Sequence, residues 1–70
     1  MRSDRLIKSI LKERFLVSLT DGSAIEGLLI DADTKSLHMA DCFQVTVDGR
    51  TSVDGHIFIP RTNVLYMQKP

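Results

Sequence analysis

A single cysteine, Cys42, excludes an internal disulfide, and an unpaired thiol suits a reducing, cytoplasmic setting better than a secreted one. Free cysteine is usually a small buried hydrophobe, and that is the expectation for Cys42. Metal ligands are equally scarce. Cys42, His38 and His56 fall on separate segments without finger-like spacing, so no metal or other cofactor is expected. There is no excess of either charge: nine Lys and Arg balance nine Asp and Glu, for a formal net charge of +0. Nucleic-acid binding through bulk counterion release needs a basic excess, so only a local basic site is left open. No apolar run approaches the roughly 20 residues that cross a bilayer, and the first residues are too charged for the apolar core of a signal peptide. Neither a Ser-His-Asp nor a Cys-His constellation occurs at a recognisable spacing, which argues against an enzyme.

At 70 residues the chain is one domain. A domain of this size buries only roughly 60% of its unfolded surface and is marginal alone unless it oligomerises. Its organising stretch is Phe15 to Asp33, where apolar alternation flanks Asp21-Gly22. Asp-Gly between alternating strands predicts a hairpin with a two-residue type I′ turn. Gly27, inside the second strand, predicts a bend or bulge and therefore a strongly curved sheet.

Before the hairpin, residues 3–14 read as an amphipathic helix. Leu6, Ile7, Ile10 and Leu11 form one stripe, with Ser3 as N-cap, Asp4 in the first turn, and Lys12 and Arg14 in the last. After it, the turn Asp33-Thr34-Lys35-Ser36 leads to a strand carrying Leu37 and Met39, then Phe43, Val45 and Val47, with regular pairing interrupted at Asp41-Cys42. A polar turn is expected from Asp48-Gly49 to Asp54-Gly55. His56 to Ile59 forms the next strand, stopped by Pro60, and Val64 to Met67 the last. A helix and five short strands with tight turns predict a mainly β chain, a bent antiparallel SH3-like barrel over residues 15–67. Phe15, Val17, Leu19, Ile25, Leu29, Leu37, Met39, Ile57 and Ile59 are the expected interior, with Leu6, Ile10 and Leu11 over one open end. Leu28 and Ile30 make the second strand apolar on both faces, so its outer face needs a cover.

Val17, Leu19, Asp21-Gly22, Ile25, Gly27, Leu29 and Asp33, followed by Leu37 and Met39, resemble the first motif of the Sm and Sm-like (LSm) proteins. Gly55-His56-Ile57-Phe58-Ile59 followed by Pro60-Arg61-Thr62-Asn63-Val64 is similar to the second. The resemblance covers nearly the whole chain. It implies the Sm fold and a homo-oligomeric ring in which Gly55, Ile57, Phe58 and Ile59 of one subunit meet Val64, Leu65, Tyr66 and Met67 of the next. Both segments are apolar and would otherwise be open edges, and neither carries a blunting charge. The resemblance also implies a single-stranded RNA site at the pore, carried here by Asp33, Lys35, Ser36, Arg61 and Asn63. Two departures fall on that site. The turn after Asp33 is one residue shorter than the family's, which puts Ser36 in place of the base-reading asparagine, and Pro60-Arg61 stands where Arg-Gly is expected. Two readings therefore stay open: an RNA-binding ring, or an oligomeric scaffold, such as a bacterial or phage accessory protein, that keeps the fold without the RNA pocket.

Overall fold

A computed structural model describes residues 11–70. Five strands, β1 (Arg14–Leu19), β2 (Ala24–Ala32), β3 (Ser36–Thr46), β4 (Gly49–Pro60) and β5 (Val64–Gln68), form one antiparallel sheet, with a 3-10 turn Arg61–Asn63 before the last. The strand order is β4-β3-β2-β1-β5. Neighbours in sequence are thus neighbours in the sheet until β5, which returns to pair with β1. No ladder joins β4 to β5, so the expected barrel is a bent but open sheet with these two strands as its edges. Neither edge finds a further partner strand among the described residues.

The bending has local causes. Gly27 faces Phe15 across β1–β2, and the β2–β3 register shifts between Glu26 and Leu28 and again between Leu29 and Asp31. The β3–β4 register shifts between Ala40 and Cys42, where Asp41 takes φ 52°. This is the interruption expected at Asp41-Cys42. Each extra residue tightens the local twist and lets the sheet fold over its own apolar face. That face holds the core: Phe15, Val17, Ile25, Leu29, Leu37, Met39, Cys42 and Ile59 are buried, and no charged or polar residue is buried among the described residues. Cys42 is therefore the small hydrophobe anticipated, while Leu19 and Ile57 are only half-buried at the margin.

Three expectations are corrected. Most of the N-terminal helix lies outside the described residues, but its last turn is not helical: Leu11 and Lys12 form a turn with Lys12 at φ 67°, and Arg14 already belongs to β1. β2 captures this backbone, since the Leu29 amide donates to the Glu13 carbonyl. The β1–β2 turn is not type I′. Leu19 accepts from the Gly22 amide and donates to the Ser23 carbonyl, and Gly22 alone in the loop has positive φ, 91°. That is a type I turn closed by a glycine bulge, and the Asp21 carboxylate holds it by accepting from the Ser23 amide at 2.9 Å and the Ser23 hydroxyl at 2.6 Å. Finally, the residues read as a polar turn from Asp48 to Gly55 are mostly strand. Only Val47 and Asp48 turn the chain, and β4 runs on from Gly49, pairing Arg50 with Val45 and Ser52 with Phe43. A polar composition misleads here because this half of β4 is an exposed edge with little apolar surface to bury. Val47, expected in the strand, sits fully exposed at the hairpin tip.

Candidate functional site

The loop between β2 and β3 is built around the Asp33 carboxylate. Its Oδ1 accepts from the Lys35 amide at 2.7 Å and the Ser36 amide at 2.8 Å, and the Asp33 amide donates back to the Ser36 carbonyl at 3.0 Å. The side chain thus replaces a missing backbone partner, which is how aspartate stabilises a tight turn. These amide donors, and after them the positive charge of Arg61, hold the Asp33 carboxyl below its ordinary value. The Arg61 amide donates to the Lys35 carbonyl at 2.8 Å, so the 3-10 turn after β4 is tied to the β2–β3 loop. Ser36 also pairs with Pro60 at the start of the β3–β4 ladder. Four of the expected site residues, Asp33, Lys35, Ser36 and Arg61, therefore come together. Asn63 lies at the other end of the 3-10 turn, its carbonyl accepting from the Thr20 amide at 2.9 Å. The 3-10 turn thus touches the loop following β2 at its first residue and the loop following β1 at its last.

Lys35 and Asn63 are exposed, whereas Arg61 is half-buried and its Nε is enclosed without a hydrogen-bond partner among the described residues. An enclosed guanidinium N–H with no acceptor among the described residues is costly. The residues expected at a subunit interface lie along the two sheet edges, Gly55, Ile57, Phe58 and Ile59 in β4 and Val64 to Met67 in β5. Phe58, Leu65 and Tyr66 are exposed, Ile57, Val64 and Met67 half-buried, and Ile59 belongs to the core.

Sequence reasoning missed a second cluster on the outer face of the sheet. His38 stacks on Phe58 with ring centroids 4.4 Å apart, and its Nε2 lies 2.6 Å from Nδ1 of His56. His38 is half-buried on the face of β3 opposite the buried Leu37 and Met39. Its neighbours became visible only with the β3–β4 register, which sets His38 opposite Phe58. The period of two, with His56 and Phe58 on the face opposite Ile57 and Ile59, was the available signal.

No family model matches the chain, and no curated protein matches it. Solved structures do. A heptameric archaeal Sm protein superposes with a TM-score of 0.83 at 21% identity, covering 94% of this chain and 97% of that one. The SmAP1 heptamer of Pyrobaculum aerophilum gives a TM-score of 0.84 at 21% identity over 94% and 89% of the two chains. A chain of the NatC complex bound to CoA gives 0.82 at 19% identity over 90% and 82%. At such identities the likeness speaks for the fold. Five antiparallel strands in this order, superposing along nearly their whole length on archaeal Sm proteins, give this chain the Sm-like fold.

Proposed function

We propose that the protein assembles head to tail into a homo-oligomeric ring, β4 of one subunit pairing with β5 of the next, and that the ring binds single-stranded RNA at its pore. The supporting observation is that the sheet has two open edges with exposed apolar side chains, and that Asp33, Lys35, Ser36 and Arg61 come together where the β2–β3 loop meets the 3-10 turn that carries Asn63 at its other end. Exposed edges with unblunted hydrophobic side chains are an aggregation liability unless another chain completes them. A heterologous contact of this kind closes into a ring when its rotation permits. The two archaeal structures described above are heptamers. Symmetry answers the lack of basic charge, because each subunit adds one Lys35 and one Arg61 to a common opening. In this reading Arg61 or Lys35 lies over a base face while Ser36 or Asn63 bonds its edge, contacts worth about 1–3 kcal/mol per stacked base.

A second reading is an oligomeric scaffold, again non-enzymatic and cytoplasmic. Ser36 in place of asparagine and the displaced Arg61 favour it, as does the likeness to a chain of the NatC complex. Native mass spectrometry with and without short oligo-uridine and oligo-adenine separates the two. A ring that takes up oligonucleotide, and loses it when Lys35 and Arg61 are both alanine, supports the RNA reading. A ring that never takes it up supports the scaffold, and a monomer at micromolar concentration refutes both.

A further inference from the structure

β4 has twelve residues and β5 only five. A ring that lays β5 of one subunit along Gly55 to Ile59 of the next therefore leaves Gly49 to Asp54 as an open edge even when it is closed. The two halves of β4 are set apart by a bend. Between the pairs Ala40–His56 and Cys42–Val53 one residue of β3 faces two of β4, and Gly55 takes φ 77° there.

The open half is regular strand. Val47-Asp48 is a two-residue turn closed by the Thr46–Gly49 pair, and pairing with β3 then runs without interruption to Cys42–Val53. A turn of this length closes on a hydrogen-bonded pair, after which bonded and non-bonded pairs alternate. Gly49, Thr51 and Val53 thus point their backbone groups at β3, while Arg50 and Ser52 point theirs at the open edge, and Asp54 follows in the same alternation. The period of two also sets the side chains of Arg50, Ser52 and Asp54 on the outer face and those of Thr51 and the half-buried Val53 on the inner. Arg50 is held there by the Phe43 ring, 4.3 Å from its centre, and by the Glu26 carboxylate at 2.7 Å. A guanidinium has five donors, so these contacts leave it free to meet a second carboxylate.

We propose that this half of β4 pairs with the same half of a second copy, antiparallel and centred on Ser52, and that such pairs join two rings. In this register Ser52 stands opposite its own counterpart, Arg50 opposite Asp54 and Thr51 opposite Val53, the last two pairs occurring twice by symmetry. The backbone groups that face the edge then meet at hydrogen-bonded positions, opposite charges meet on the outer face, and β-branched side chains meet on the inner. A shift of one residue would set Ser52 against Thr51, whose backbone groups are already given to β3. Charge complementarity selects the occupant. Charges blunt a strand edge when they repel the incoming strand, but Arg50 and Asp54 have opposite signs and flank Ser52 at equal distance, so antiparallel copies attract. One contact of this length is small, and a ring that offers one per subunit makes them together. The joining of rings rests on the ring reading, whereas the register of the pair does not.

Ser52→Cys tests the register whether or not a ring forms. Directly opposed residues at a bonded position lie about 5.5 Å apart at Cα, within reach of a disulfide, so air oxidation should convert the variant to covalent dimers and nothing larger on a non-reducing gel. Thr51→Cys, whose counterpart lies across from Val53 and out of reach, should cross-link at least about tenfold more slowly, and the buried Cys42 takes no part. Native mass spectrometry of the parent should show twice the subunit number of one ring. Asp54→Arg sets arginine against arginine and Arg50→Glu sets carboxylate against carboxylate, so each alone should give single rings, while an equal mixture of the two variants should restore the doubled species. The proposal is overturned if Ser52→Cys forms no dimers, if Thr51→Cys cross-links as readily, or if Asp54→Arg doubles like the parent. Single rings of the parent without Ser52→Cys dimers would overturn it and leave the ring standing, whereas Ser52→Cys dimers from a parent that forms no ring would support the pair and refute the ring.

Discussion

Replacing Gly27 by alanine puts a methyl carbon 2.4 Å from the Cys42 sulfur, 3.1 Å from the Ala40 carbonyl oxygen and 3.1 Å from the Cys42 Cα. Gly27 is not in the left-handed region, so the requirement is for space and not for backbone freedom. Two of the three contacts are main-chain atoms of β3, and the third belongs to a short side chain that is 2% exposed and has no room to swing. Overpacking of this kind costs about 1–3 kcal/mol, and the smaller unfolded-state entropy of alanine returns about 0.4–1, so a net loss of about 1.3 kcal/mol is expected. A domain this size has about 3.5–10 kcal/mol in total and moves about 4–8 °C per kcal/mol, so Tm should fall by about 5–10 °C, and by more for Gly27→Val. Cys42→Ala removes the worst contact, so the double variant Gly27→Ala/Cys42→Ala should be less destabilised than the sum of the singles by about 1 kcal/mol. Thermal melts at one fixed protein concentration measure this, because assembly also moves Tm. A Gly27→Ala melt within about 3 °C of the parent, or strict additivity in the double variant, would refute the close approach of β2 and β3 as the reason for the glycine.

Charge placed on an edge should dissolve the proposed ring while sparing the fold: Leu65→Asp, on an exposed β5 side chain, is expected to sediment as a folded monomer, and an unchanged sedimentation coefficient would exclude β5 from the interface. Asp33, whose folded value lies below the ordinary 3.8, contributes stability that is present above that value and lost as the pH falls through the folded one. The Lys35 and Ser36 amides should therefore lose protection from hydrogen exchange only in that acid range, and loss at neutral pH would contradict the carboxylate's role. Burial raises the Cys42 thiol, so alkylation by iodoacetamide near pH 8 should be slow in the native protein and fast in denaturant. Equal rates would mean that the β2–β3 contact opens readily.

Much of the fold was legible because a buried face imposes a period of two. Phe15 and Val17, Ile25 and Leu29, and Leu37 and Met39 announce the inner face of three strands, and all six are buried. Where one face carries no core, the period vanishes, and so did the expectation. The first half of β4 runs Gly49-Arg50-Thr51-Ser52 and reads as a loop, although it is held in the sheet by backbone pairing with β3. Closure failed for a related reason. Apolar runs mark the end of β4 and all of β5 as strands, but they say nothing of which strand lies beside them, and no ladder joins β4 to β5 to make a barrel.

The site divides along the same line. Asp33 and its turn are local, and a short polar stretch after a strand suffices to find them, whereas the approach of Arg61 depends on where the twelve residues of β4 deliver the chain. The resemblance supplied that long-range fact, and the Lys35 carbonyl to Arg61 amide bond gives it a physical basis. Nothing comparable supplied the outer-face cluster. Its residues, His38, His56 and Phe58, lie on two strands at positions whose alignment needs the β3–β4 register. One residue of slip in that ladder would turn His38 inward or carry Phe58 away from it. An outer face is therefore the part of a sheet that sequence periodicity constrains least. In a chain this small the inner face is committed to the core, so the outer face and the edges are where binding chemistry has room to act.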